Sequence, residues 1–320
     1  MVDTAKKIAL IKKIKPALHE LYNPCRLCPL ECGIYRENGE KGFCRSGSRI
    51  AVYSYSPHHG EEPPLSGNSG SGTIFFTHCN MKCVYCQNYA FSQESDFGET
   101  ETESLAQKML ELSKMGCHNI NLVSPTHYIR HIIDALELAY ENSLDIPIVY
   151  NTSGYDTVNL ISLMDGIVDI YLADMRYSRD EAGKSYSGVP GYASYNRKAI
   201  KEMFGQVGEL KCDKNGIAEK GVIVRLLIMP CNTAGTLDSL RFLKDNVSSD
   251  IFLSIMSQYY PTYKAKEYPE LARKINRSEY KEVLEEAEKL GFTNGWIQGL
   301  QTDADRFLGT NVKKGRFWWG

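Results

Sequence analysis

From residue 73 onward, short apolar runs alternate with helix-like stretches, and this alternation constrains the chain more than any other feature. The runs are Thr73–Thr77, Asn119–Val123, Ile146–Tyr150, Ile167–Ala173, Val222–Met229 and Ile251–Met256. Short runs without a polar face read as strands buried on both sides of a parallel sheet. Helices are expected over 102–115, from Ser124-Pro125 onward, and near 157–164, 191–206, 236–245 and 278–290. Thr102 suits an N-cap and Gly116 a stop, and a Ser-Pro pair suits a helix start. Strands alternating with helices predict an α/β fold of six parallel β/α units. Periodicity leaves open a doubly wound sheet and a partial barrel. Both collect chemistry at the C-terminal ends of their strands. Polar residues recur there: Ser124 and Thr126, Asn151 and Thr152, Asp174 and Arg176, and Gln258.

The segment before this pattern differs. Residues 3–21 predict a helix with Pro16 as a kink. Residues 56–72, with Pro57, Gly60, Pro63, Pro64, Gly67, Gly70 and Gly72, predict a loop. The chain therefore divides into a helical, Cys-rich segment over 1–70, a β/α core over 71–300 and a tail over 301–320. The apolar end of that tail, Arg316 to Gly320, is expected to dock on the core or on a partner.

Charge excludes some classes of function. Lys plus Arg number 37 against 39 Asp plus Glu, a net charge of −2, so no global basic field attracts nucleic acid or an anionic membrane. No apolar window is long enough to span a bilayer. The N-terminus lacks the apolar stretch of a signal peptide. A cytoplasmic protein with neither nucleic-acid nor membrane partners is expected.

In such a compartment the cysteines read as metal ligands rather than disulfides. There are ten, and seven fall in two tight groups. Cys25, Cys28, Cys32 and Cys44 offer four thiolates, enough to close a site with no vacancy. Zinc, a mononuclear iron and a second iron–sulfur cluster all fit the spacing. The second group, Cys79, Cys83 and Cys86, follows the first predicted strand. Three thiolates on an Fe₄S₄ cube leave one iron open for a substrate. The competing reading is a zinc site completed by His78.

The triad Cys79-Asn80-Met81-Lys82-Cys83-Val84-Tyr85-Cys86, with an aromatic residue before its last cysteine, resembles the signature of the radical S-adenosylmethionine (radical SAM) superfamily. Further segments look like a subgroup similar to pyruvate formate-lyase activating enzymes. They are Gly70 to Phe76, Cys86-Gln87-Asn88-Tyr89, Ser124-Pro125-Thr126-His127, Tyr150 to Tyr155, Asp169 to Asp174, and Met256 to Pro261. The resemblance spans roughly residues 24–300. It implies a partial (β/α)₆ barrel and a [4Fe-4S] cluster on Cys79, Cys83 and Cys86. S-adenosylmethionine would chelate the open iron and be cleaved reductively to a 5′-deoxyadenosyl radical that takes a hydrogen atom from a substrate. A ferredoxin or flavodoxin would supply the low-potential electron. In the activase version the hydrogen comes from a glycyl residue of a partner protein; another peptide or a small molecule is the alternative. A non-catalytic iron–sulfur or zinc carrier remains the reading from a different class.

By the same resemblance, Tyr85 contacts the adenine region. Ser124 and Thr126 sit where relatives grip the SAM amino group, and Asn151 and Thr152 reach the same ligand. Asp174 and Arg176 contact ribose and carboxylate. Arg225 is either a carboxylate fork or a buried ion pair, and Gln258 lies at the substrate end. The chain departs from the pattern in three places. Ser124-Pro125-Thr126-His127 replaces a Gly-Gly-Glu-Pro turn, Arg176 stands in place of Lys, and Leu226 stands in place of His.

Overall fold

The computed structural model describes residues 3–95 and 98–300, and the backbone of a short strand at 306–308. The expected docking of residues 316–320 lies outside the described residues. The elements in chain order are α1 (Thr4–Tyr22), β1 (Ile50–His58), the short α2 (Pro63–Ser66), β2 (Ser71–Phe76), β3 (Glu99–Thr100), α3 (Thr102–Lys114), β4 (Ile120–Val123), α4 (Ile129–Glu141), β5 (Ile148–Thr152), α5 (Val158–Leu163), β6 (Ile170–Asp174), α6 (Asp180–Ser187), α7 (Tyr192–Val207), β7 (Lys211–Cys212), β8 (Ala218–Leu227), α8 (Thr236–Asn246), β9 (Phe252–Met256), α9 (Arg277–Lys289), β10 (Gly295–Ile297) and β11 (Arg306–Leu308).

The strands form one sheet in the order β11-β10-β9-β8-β6-β5-β4-β2-β1-β3, with β7 beside β8. From β2 to β10 every neighbour is parallel. The path does not return on itself, so the sheet is an open, partial barrel. β1 and β11 flank it as antiparallel strands. The partial barrel and the Cys-rich N-terminal extension agree with the sequence reading, with a seventh parallel strand, β10, added.

Two apolar cores hold this sheet. The larger lies between the outer face and the helices and includes Ile74, Leu122, Ile132, Ile133 and Leu136. The smaller lies on the concave face, where Val149, Ile170, Leu172, Ile223 and Phe252 close around Leu65. Leu65 comes from the α2 turn. Its carbonyl accepts from Asn119 Nδ2 at 2.9 Å, and Ser71 Oγ donates to Asn119 Oδ1 at 2.6 Å. Fully burying a leucine is worth about 2–3 kcal/mol, so the turn is a plug seated in the floor of the barrel.

That plug corrects the expectation of a loop over 56–72. β1 runs to His58, α2 follows, and β2 begins at Ser71. Pro57 is tolerated because β3 pairs only with Ile50 and Ala51, so the strand has a free edge where Pro57 sits. Other elements differ in detail. Glu101, not Thr102, occupies the cap of α3. Residues Thr126–Tyr128 form a 3₁₀ turn before α4, so that helix starts at Ile129. α6 was unexpected: it is short, and its Gly183 lies so close to α7 that a Cβ there would meet Tyr192 Cβ at 2.5 Å. α1 continues through Pro16.

Candidate functional site

The loop after β2 carries the three thiols to the C-terminal mouth of the barrel. His78 turns the chain with a left-handed backbone, φ 70°, a conformation that is costly for a non-glycine residue. Neighbouring backbone then clamps the loop. Lys82 N donates to Ser187 O and Val84 N to Tyr186 O, both at 2.9 Å, and Lys264 N donates to Val84 O at 2.8 Å. Gln93 Nε2 donates to Cys83 O at 3.0 Å. The thiols are thus fixed from β2, from the end of α6 and from the segment after β9.

Cys83 is buried and its sulfur accepts from Ser187 Oγ at 3.0 Å and Arg176 Nη1 at 3.2 Å. Ser187 Oγ and Tyr177 OH lie 2.7 Å apart, and Tyr177 OH lies 2.7 Å from Tyr85 OH. Cys79 receives the amide of Met81 at 3.4 Å, and Cys86 lies 3.3 Å from Ser92 Oγ. Burial, reinforced by the neighbouring Cys83, pushes the Cys79 thiol up to about 11. Burial also raises Cys83, against the pull of Arg176. Thiols that resist ionisation when alone become thiolates beside a cationic metal centre. A donor-rich loop of three sulfurs, Cys83 buried and Cys79 and Cys86 half-buried, therefore fits an iron–sulfur cluster, whose sulfurs are tuned by such hydrogen bonds. Cys79, Cys83 and Cys86 would hold it.

Beside the triad, Asp174 ends β6. Arg176 Nη2 and Nε reach Asp174 Oδ2 at 2.6 and 3.0 Å, and Arg225 Nε reaches Oδ1 at 2.6 Å. Burial works against this carboxylate, yet the two guanidiniums hold it below the usual range. Arg225 also donates from Nη2 to Asn151 Oδ1 at 2.6 Å, and its Nη1 lies 3.6 Å from Glu61 Oε2. All three of its nitrogens have protein partners, as the ion-pair reading of this residue requires. Burial and the adjacent Glu62 raise Glu61 to about 7.

A cavity of about 170 Å³ opens above these groups. Its wall includes Tyr85, Cys86, Asp174, Arg176, Arg225 and Gln258, with Gln87, Asn88 and Tyr260 toward solvent. Five of the nine cofactor-contact candidates therefore share one cavity, and Asn151 touches it through Arg225. Ser124, Thr126 and Thr152 are not on that wall. Ser124 donates its amide to Asn151 O at 2.8 Å from a left-handed backbone, φ 56°. Thr126 Oγ1 and Thr152 Oγ1 donate to the two oxygens of Asp156 at 2.7 and 2.6 Å, and Tyr150 OH joins them at 3.2 Å. Asp156 is fully buried. The hydroxyls expected to face a ligand brace this carboxylate.

The four N-terminal thiols occupy a lobe of tight turns. Gly33 and Glu31 have positive φ, and at Gly42 a Cβ would meet Cys32 Sγ at 2.8 Å. Arg36 is buried at the centre of the lobe. Its Nε reaches Cys25 Sγ and its Nη2 reaches Cys44 Sγ, both at 3.3 Å. Its Nη1 reaches the carbonyls of Ser46 and His127, also at 3.3 Å, tying the lobe to the barrel. Arg36, Glu61 and Asp156 were not found from the sequence. Only Asp156 left a trace there, four residues after Thr152 in a run of hydroxyl and glycine residues.

The radical SAM superfamily model matches residues 73–181, the stretch from β2 through the triad to the start of α6. Over 302 residues the chain is 32% identical to the uncharacterized protein MJ0674 of Methanocaldococcus jannaschii, covering 87% of this chain and 81% of that protein. The chain belongs to the radical SAM superfamily. A second uncharacterized protein of the same organism, MJ0808, is 25% identical over 268 residues, covering 77% of this radical SAM chain and 73% of its relative. Among solved structures, Streptococcus suis SuiB bound to precursor peptide SuiA is similar at a TM-score of 0.46 and 12% identity, over 70% of this chain and 47% of that one. No helix among the described residues is long and apolar enough to cross a membrane.

Proposed function

We propose that this radical SAM enzyme binds a [4Fe-4S] cluster on Cys79, Cys83 and Cys86 and S-adenosylmethionine in the cavity beside it. The observation that carries this reading is the junction of the two: Arg176 bonds both Cys83 Sγ and Asp174, so one side chain joins the thiol loop to the cavity wall. When bound, the cluster and S-adenosylmethionine supply a 5′-deoxyadenosyl radical by reductive cleavage of the sulfonium. The protein's part is to bind, orient and shield. Tyr85, held through Tyr177 and Ser187, forms the wall for the adenine region. Asp174 and Arg176 present an acceptor and a donor toward ribose and carboxylate. Arg225, locked by Asp174 and Asn151, keeps Asp174 ionised. The plug at Leu65 closes the floor against water.

The substrate enters from the mouth, where Gln87, Asn88, Gln258 and Tyr260 offer amides and an aromatic face. Such groups suit an extended peptide, as the activase-like version, hydrogen abstraction from a glycyl residue of a partner protein, requires. A low-potential electron donor such as ferredoxin or flavodoxin is required. The N-terminal thiols hold a second metal centre in the same reading.

The test is anaerobic reconstitution with iron and sulfide, followed by S-adenosylmethionine and a strong reductant, with 5′-deoxyadenosine measured by chromatography. Product is expected from the native chain and not from Cys83→Ala. Cluster-loaded protein that neither forms product nor binds S-adenosylmethionine in a titration would overturn the reading. A glycyl radical signal on an added partner separates the activase version from the others.

A further inference from the structure

The triad loop carries a buried cation that no carboxylate answers. Lys82 stands directly before Cys83. Its Nζ is buried and has no hydrogen-bond partner among the described residues. A charged group buried without a partner is costly, so packing must hold this one in place. The ammonium lies 5.6 Å from the centre of the Phe43 ring, a distance at which a ring face attracts a cation. Lys82 Cβ and the Phe43 ring both pack over Gly188, at 3.8 and 3.4 Å from where a Cβ would stand. Phe43 is seated in turn by the N-terminal lobe, because Cys44 beside it accepts from Arg36 Nη2 at 3.3 Å.

Arg176 is a second cation on the triad, and it differs in one respect. It donates to Cys83 Sγ, but two further bonds tie it to Asp174, at 3.0 and 2.6 Å. That carboxylate answers its charge. Lys82 has no such counter-ion at bonding distance. Burial acts most strongly against its charge and Arg45 adds to this, whereas the Cys79, Cys44 and Cys83 sulfurs act in its favour. The sulfurs and the group they hold are what can answer this ammonium.

We propose that Lys82 is a fixed positive charge that stabilises the reduced iron–sulfur cluster of the triad and so raises its reduction potential. This rests on the reading of Cys79, Cys83 and Cys86 as cluster ligands. Three thiolates make the centre negative, and an added electron makes it more so. A buried cation nearby favours the reduced form over the oxidised one, because little water is present to screen its field. Lys82 is therefore a positioning residue. It sets how readily a donor can charge the cluster and takes no part in hydrogen transfer.

The experiment uses the full chain, reconstituted with iron and sulfide without oxygen. Redox titration followed by electron paramagnetic resonance gives the cluster potential. The signal that changes on adding S-adenosylmethionine is taken as the triad's. Lys82→Met keeps the stem and removes the charge, and its potential is expected to become more negative. Lys82→Gln should shift the same way, and Lys82→Arg, which keeps the charge, should stay nearer the native value. A potential unmoved in both neutral variants overturns the proposal, and so does an equal shift in all three. Loss of the cluster from the neutral variants with retention in Lys82→Arg supports it. Loss from all three makes the shape of the stem decisive and overturns it. Native protein that takes up no cluster overturns instead the reading of the triad on which the proposal stands.

Discussion

Two buried aspartates stand at neighbouring places in the barrel and have opposite fates. Asp174 ends β6 between two guanidiniums, faces the cavity, and is held ionised. Asp156 follows β5 and is enclosed by two threonine hydroxyls and a tyrosine. Burial raises its carboxyl despite those donors. The charge of the partners separates the two. An anion with cationic neighbours stays charged and remains available to a ligand. One with neutral donors becomes a knot that fixes the turn after β5. A polar residue at a strand end is therefore evidence of a site only when its partners leave it something to do.

The largest effect should come from breaking the first member of the pair. Asp174→Ala leaves Arg176 and Arg225 buried without their shared anion, and breaking a buried pair by removing one partner costs about 3–5 kcal/mol. Denaturant unfolding should show that loss, and S-adenosylmethionine binding should fall with it. A variant of near-native stability would mean that the guanidiniums find other partners and that Asp174 is not what organises them.

Asp156→Ala should cost less, about 2 kcal/mol, because the groups it strands are neutral hydroxyls. S-adenosylmethionine affinity of the folded fraction should be retained. If affinity collapses while stability holds, Asp156 belongs to the ligand site and the distinction between the two aspartates fails.

The pair also predicts opposite responses to pH. Asp174 has a lowered value in the folded state. Its contribution is complete above the ordinary carboxylate range and is lost as pH falls through the folded value. Asp156 has a raised value. The folded protein then holds its proton more tightly than the unfolded chain, so stability declines as pH rises from the ordinary range through the folded value. The stability gap between native and Asp174→Asn should therefore narrow in acid. Asp156→Asn should gain on the native chain as pH rises through its window. Stability curves for both variants across the acid range check the two slopes, and parallel slopes would refute the contrast.

This contrast also marks where the sequence stops being readable. The parallel strands were legible because burial on both faces leaves an apolar run, as in Val222 to Met229. The thiol loop at the barrel mouth was legible because Cys79, Cys83 and Cys86 stand close together in the chain. β1 and the plug were not, since Pro57, Pro63 and Pro64 carry the usual marks of a loop and only the free edge and the concave core give them regular places. β10 has three residues, too few to show a period. Arg36, Glu61 and Asp156 gain their meaning from partners far away in the chain, His127, Arg225 and Thr126 among them. Nothing in a local window distinguishes such residues from surface charges.

Thr126 gives the smallest and sharpest test, since sequence and structure assign it different partners. Its resemblance to the grip on the SAM amino group makes it a ligand contact; its 2.7 Å bond to Asp156 makes it a brace. Thr126→Val keeps the shape and removes the hydroxyl. As a brace it loses one hydrogen bond to a carboxyl group, about 1.5 kcal/mol. The melting temperature should then fall by a few degrees while S-adenosylmethionine titrates as in the native chain. As a ligand contact it would instead weaken the titration and leave melting unchanged. The buried geometry of Asp156, closed on both oxygens, predicts the first outcome, because a hydroxyl committed to that carboxylate must break its bond before it can reach the cavity.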